Sequence, residues 1–137
     1  MKKEKVLIVG GYGVVGEQIA EILRNRNPDL ILILGGRHPE KADQLIQKLG
    51  NAYSVRVDNT RSHPLRDIDP DLSLVINAVN DPEDYLLQSA VQLSIPFIDI
   101  TRWSERFLRA QEKINQFHLQ APVILSSVDG WCCSSIR

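Results

Sequence analysis

One stretch near the N-terminus restricts the fold more than any other. Val6-Leu7-Ile8-Val9 is followed by Gly10-Gly11-Tyr12-Gly13-Val14-Val15-Gly16 and then by Glu17-Gln18-Ile19-Ala20-Glu21-Ile22-Leu23. It reads as a buried strand, a glycine turn and a helix. Gly11, Gly13 and Gly16 fit G-x-G-x-x-G, in which the three glycines have separate tasks. Gly11 is expected to turn the chain sharply off the strand, Gly13 to let the backbone approach a pyrophosphate, and Gly16 to bring the helix close to the strand. The helix N-terminus offers unpaired N–H groups and a positive dipole end to phosphate. The stretch 11–16, with Tyr12, Val14 and Val15 between the glycines, is therefore a candidate dinucleotide site.

The surroundings meet the motif's requirements, with a strand before it, a helix after it and a second apolar strand at Leu30 to Leu34. Val15, Ile19, Ile22 and Leu23 are spaced to form the buried face of the helix. The rival reading is a mononucleotide P-loop, G-x-x-x-x-G-K-[ST]. Gly11 and Gly16 have that spacing, but Glu17 and Gln18 stand where lysine and Ser/Thr must be. The other rival is a glycine turn that serves packing alone.

Further along, short apolar runs and helical patterns alternate. Leu30 to Leu34 is a continuous apolar run, as expected of a strand covered on both faces. Pro39 and Glu40 open a second helix with Ala42, Leu45, Ile46 and Leu49 on one face and Gly50 as its stop. Tyr53 to Asp58 is the third strand, Asn59 to Pro70 a polar loop, and Leu72 to Val79 the fourth strand. A helix starts at Asn80-Asp81-Pro82-Glu83 and buries Leu86, Leu87, Ala90 and Val91; Ile95 to Ile100 is the fifth strand. Thr101 to Trp103 is a turn, Ser104 an N-cap, and the next helix uses Phe107, Leu108, Gln111, Ile114 and residues 117–120. Pro122 to Ser126 is a sixth strand. This alternation predicts an α/β doubly wound parallel sheet of about six strands, in the order 3-2-1-4-5-6.

At 137 residues the chain is expected to form one domain, residues 1–137, that buries roughly two-thirds of its unfolded surface. A net charge of -1 gives no electrostatic reason to expect nucleic acid or an anionic membrane as a partner. The basic start before Val6 is not a secretory signal, because glycines and Glu17 interrupt the apolar run, and no stretch is long enough to span a bilayer. Cys132 and Cys133 are adjacent, the wrong spacing for zinc and for an ordinary disulfide. A reducing cytoplasm is the default location.

Ligands of such sheets lie beyond the carboxyl ends of the strands, near the switch between strands one and four. The end of the second strand reads the adenosine ribose. A carboxylate there suits NAD, but this chain has Gly35, Gly36 and then Arg37. A carboxylate would repel a 2′-phosphate, whereas an arginine fork pairs with it, which favours NADP over NAD. The alternative is a solvated arginine at the start of a helix. His38 lies over the adenine or is simply exposed. Asp58 either reaches the adenine edge or caps the following loop. Ala78, Val79 and Asn80 should pass the ribose and pyrophosphate, small residues there admitting a backbone. Asp99 and Thr101 flank the fifth strand near a nicotinamide, although satisfying the local turn is the stronger reading for both. No nucleophile–base motif stands out, and His63 and His118 read as surface residues. An S-adenosylmethionine domain shares the fold, but Gly36-Arg37 argues against it.

With these pieces in place, the chain resembles the NADP-binding Rossmann domain of the saccharopine dehydrogenase family. The resemblance is carried by residues 6–20, 34–42, 55–58, 74–79 and 96–101, in the family's order. It implies nicotinamide-dependent oxidoreduction, often at a carbon–nitrogen bond of an amino-acid-derived substrate. It also implies a second, α+β domain that binds the substrate and contributes catalytic groups. Ser126-Ser127-Val128-Asp129-Gly130-Trp131 is similar to the loop that leads into that domain. Here the sequence continues with Cys132-Cys133-Ser134-Ser135-Ile136-Arg137 and stops. On this reading the second domain is absent, and the substrate half has either been lost or comes from a partner chain or a second copy. The competing expectation is a stand-alone module that binds NADP(H) without turnover.

Overall fold

The computed structural model describes residues 3–100, 104–127 and 130–134. Seven strands form one sheet: β1 (Lys5–Val9), β2 (Ile31–Gly36), β3 (Ala52–Arg56), β4 (Leu74–Asn77), β5 (Phe97–Asp99), β6 (Val123–Ser127) and β7 (Gly130–Ser134). Their spatial order is β3-β2-β1-β4-β5-β6-β7. The first six are parallel and stand in the expected 3-2-1-4-5-6 order. β7 adds an antiparallel edge strand, Trp131 opposite Ser126 and Cys133 opposite Ile124. This differs from the loop expected over residues 126–131: β6 runs on to Ser127, and β7 pairs with it from Gly130.

Among the described residues four helices cover the sheet: α1 (Val14–Arg26), α2 (Asp43–Leu49), α3 (Tyr85–Gln92) and α4 (Ser104–Ile114). The alternation of side chains along each strand divides the core into two layers. Val6 and Ile8 of β1 join Leu32 and Leu34 of β2, with Ala20, Leu45 and Leu49 from α1 and α2. Leu7 and Val9 point the other way, to Val75, Phe97, Leu86, Leu87, Ala90, Ala110 and Ile114 beneath α3 and α4. Burial on both faces is why these strands are apolar throughout rather than alternating.

Helix faces differ from the sequence reading in two places. On α1 the buried residues are Gly16 and Ala20, while Val15 and Ile22 are more than half exposed. The helix lies so close to the glycine turn that small residues, not branched ones, form its contact line. On α4 the buried positions are Arg106, Ala110 and Ile114, whereas Leu108 and, beyond the end of the helix, Phe117 are exposed. Pro39 opens a single 3-10 turn (Pro39–Ala42) before α2, and α3 starts at Tyr85, later than expected. Among the described residues no helix is long and apolar enough to cross a membrane. The turn expected at residues 101–103, the side chain of Ser104, the cysteine side chains and residues 128–129 and 135–137 lie outside the description.

Candidate dinucleotide cleft

Where β1 ends, Gly10 takes a φ of 85°, and its N–H donates to Gly35 O of β2 at 2.7 Å. The left-handed residue of the turn is therefore Gly10, and the sharp turn expected of Gly11 belongs to its neighbour. Gly11 instead allows close approach: a Cβ there would lie 2.8 Å from Leu34 Cδ2 and 3.1 Å from Leu34 Cα. Gly16 permits the tightest contact, since a Cβ would fall 2.7 Å from the Gly10 carbonyl carbon and 2.8 Å from Gly11 Cα. It brings α1 against the turn itself.

Gly13 is the N-cap of α1, with φ -80° and ψ 175°, and no side chain caps the helix. Glu17 N–H donates to Gly13 O at 2.8 Å, so the N–H groups of Val14, Val15 and Gly16 have no partner within the helix. A serine or asparagine at the cap would add a side-chain acceptor for one of them, at a gain over glycine of only about a few tenths of a kcal/mol. Glycine leaves those N–H groups to whatever occupies the cleft beside them.

That cleft has a volume of about 560 Å³. One wall is the glycine turn and the first turn of α1, with Tyr12, Gly13, Val14, Val15 and Gly16; a second is the end of β2, with Gly36, Arg37 and His38. The third is the end of β4, with Ala78, Val79 and Asn80, and Val57 and Asn59 close it beyond β3. Val14 is 80% exposed and Val15 51%, apolar surface at the mouth of the site. Arg37 is exposed, with no ion pair or hydrogen bond among the described residues.

Of the candidate residues, ten line this cleft: Tyr12, Gly13, Val14, Val15, Gly16, Gly36, Arg37, Ala78, Val79 and Asn80. Gly11 lies beneath it, against β2. Asp58 is engaged in its own loop, where Oδ1 accepts the Thr60 hydroxyl at 2.6 Å and the Thr60 N–H at 3.0 Å. Those bonds, chiefly the hydroxyl's, hold its carboxyl below the usual carboxylate range, with Arg61 and Arg56 adding to the effect against the opposing cost of burial. Its neighbours Val57 and Asn59 face the cleft instead. Asn59 was not among the expected residues; its Nδ2 donates to Asn80 O at 2.7 Å, a contact between two loops that no local pattern marks.

Beneath the third wall lies a buried polar cluster. Asn77 Nδ2 donates to Asp99 Oδ2 at 3.2 Å, and Asn77 Oδ1 accepts the Val79 N–H at 3.1 Å. Asp99 is fully buried there, its bond running to β4 rather than to the turn expected after β5, and Thr101 lies outside the description. Arg106 of α4 donates to Asn80 Oδ1 at 2.6 Å and to the Asp81 carbonyl, and stands 3.6 Å from Asp84 Oδ1. Asp84 also meets Lys113 at 3.1 Å, and Asp81 Oδ2 accepts the Leu86 N–H at 2.9 Å. His63, read as a surface residue, is half-buried, its Nδ1 2.7 Å from Ser89 Oγ. Ser89 also accepts the Leu65 N–H at 3.3 Å and is 1% exposed, so the pair ties the loop before β4 to α3. His118 is exposed.

No model of a known protein family matches the chain. No curated protein sequence matches it significantly. Solved structures share its fold. Saccharopine dehydrogenase (L-Glu forming) from Saccharomyces cerevisiae, of the family that the sequence resembles, aligns with a TM-score of 0.71 at 18% identity. The alignment covers 90% of this chain and 26% of that one. For dTDP-glucose 4,6-dehydratase from Bacillus anthracis, in complex with NAD, the values are 0.69, 14%, 90% and 54%. For AtPrR2 with NADP+ and (+)pinoresinol they are 0.68, 14%, 93% and 50%. The chain thus spans between a quarter and just over half of these proteins, and at such identities the likeness establishes the fold, a Rossmann-type α/β sheet.

Proposed function

We propose that the cleft binds a nicotinamide dinucleotide, NADP(H) in preference to NAD(H), and that the chain is the cofactor domain of an oxidoreductase similar to saccharopine dehydrogenase. One observation carries this reading. The uncapped N-terminus of α1, approached across Gly13, opens into a cleft bounded by the ends of β2 and β4, the topological switch point of the sheet. The residues fit the group. A Cβ at Gly13 would meet only Gly10 O, at 3.3 Å, so the cap is open to a pyrophosphate that the first-turn N–H groups can bind. Arg37 brings an unengaged fork to the ribose end, where a 2′-phosphate needs one. Ala78 and Val79 leave room beside β4. Two of the structures that share the fold are described with NADP+ and with NAD.

When bound, the nicotinamide supplies the hydride. This chain's residues bind and orient it: the glycine turn holds the phosphates, the β2 end selects the adenosine, and the β4 end is kept in place by Asn59 and Arg106. The substrate would be derived from an amino acid, with its binding groups on a second domain, a partner chain or a second copy. The second reading, a module that binds NADP(H) without turnover, is favoured by the position of the cleft's ionisable side chains. Tyr12, Arg37 and His38 all belong to the adenosine side.

Titration of the purified chain with NADPH and with NADH, followed by nicotinamide fluorescence, tests the proposal. Tighter binding of NADPH is expected, and no binding of either nucleotide would overturn it. Sustained NADPH oxidation by the chain alone with imino or keto acids would exclude the module reading.

A further inference from the structure

Two observations meet at Gly36. It ends β2, 20 residues beyond Gly16, where a fold of this kind places the carboxylate that accepts from a ribose 2′-hydroxyl. In this chain the space for a side chain at 36 is already filled. A Cβ built on Gly36 would overlap the Tyr12 hydroxyl and lie 2.5 Å from Tyr12 Cζ and 2.6 Å from Cε1. Tyr12 is half-buried against the α1/α2 core layer and lines the cleft. Its Oη accepts the His38 N–H at 2.9 Å, which ties the phenol to the backbone just beyond β2. A phenol carries one proton to donate, and among the described residues nothing accepts it.

We infer that Tyr12 is a specificity-determining residue of the cleft: its ring keeps a carboxylate out of position 36, and its O–H serves the 2′-phosphate of the adenosine ribose. This rests on the dinucleotide reading above. A carboxylate at 36 would accept from a 2′-hydroxyl and repel a 2′-phosphate. A neutral O–H in the same space donates to a phosphate oxygen with no opposing charge, while Arg37 brings the positive one. The His38 N–H occupies one lone pair of Oη and so restricts where its proton can point. Tyr12 and Gly36 therefore work as a pair, since a side chain at 36 needs a smaller residue at 12.

The test is NADPH and NADH titration of the full chain and its variants, each checked by circular dichroism. Tyr12→Phe keeps the ring and removes the donor. A loss of roughly tenfold in NADPH affinity, with NADH affinity changed less than about twofold, is expected. Equal losses for both nucleotides, or no loss, would overturn the inference. Gly36→Asp is then made with Tyr12 intact and in a Tyr12→Ala background. It should weaken both nucleotides when Tyr12 is present and raise NADH affinity when it is gone. The same effect in both backgrounds would show that the two positions are not coupled, against the inference. Wild-type chain that binds neither nucleotide would instead remove the cofactor reading, and this assignment with it.

Discussion

On the glycine wall of the cleft, backbone packs on backbone, and the N–H groups of Val14, Val15 and Gly16 have no partner among the described residues. On the wall formed by residues 77–84, polar side chains hold one another: Asn77 with Asp99, Asn80 and Asp84 with Arg106, Asp81 with Leu86 N–H. Both walls carry polar groups at strand ends, but they use them differently. A buried polar group must find a partner or destabilise the fold. The second wall meets much of this requirement internally, by bonds between its own side chains and backbone. The first leaves it to water, or to the dinucleotide proposed for the cleft.

The largest effect that would sharpen this contrast is Gly16→Val. The added side chain would enter the backbone of residues 10 and 11, which cannot move without breaking the β1–β2 junction. A loss of about 4 kcal/mol is expected from denaturant melts; a stable variant would mean that the turn is not close-packed. Arg106→Leu attacks the other wall, taking the guanidinium away from Asp84, which is 4% exposed and also meets Lys113. About 3 kcal/mol should be lost in the same measurement, and a change under about 1 kcal/mol would deny the cluster its supporting role.

Gly13→Val separates binding from folding. Position 13 has an ordinary φ, and a Cβ there would meet Gly10 O at 3.3 Å, so the fold should survive with a stability loss of about 1 kcal/mol while NADPH affinity falls by on the order of a hundredfold. Retained affinity would place the pyrophosphate elsewhere. Arg37→Asp should lower NADPH affinity by about tenfold and move preference toward NADH; unchanged selectivity would contradict the role given to the arginine.

The smallest effect concerns Asp58. Its carboxyl is held below the ordinary value of 3.8 by Thr60. The stabilisation is therefore complete above that value and disappears as pH falls through the folded-state pKa. Asp58→Asn should be less stable than wild type at neutral pH, and the gap should narrow in acid. A constant gap from pH 7 to pH 2.5 would show that ionisation plays no part.

The glycine stretch and the six parallel strands were legible because both depend on local chemistry. A turn that needs a positive φ and a close-packed helix restricts its residue types, and a doubly covered strand must be apolar throughout. Which glycine does which task was not legible. Gly10 and Gly11 are adjacent and chemically identical, and only the position of Leu34 and of Gly35 O separates the turning residue from the close-packed one. Periodicity found Ile114 and the half-buried Phe107 on α4 but not Arg106 or Ala110, because Arg106 is polar and counts against burial until Asn80 and Asp84 appear beside it. β7 escaped because Trp131, Cys132 and Cys133 carry no strand signal stronger than the loop resemblance.

The sequence by itself determined the alternation of elements, the strand order and the chemistry at the β2 end, since these follow from side-chain type and spacing along one chain. Only the tertiary structure decided that Tyr12 fills the space above Gly36, that Asn59 rather than Asp58 faces the cleft, and that Arg106 supports its far wall. Each of those joins residues between 21 and 26 positions apart, and a contact between separate elements is set by how they pack, which no local pattern encodes.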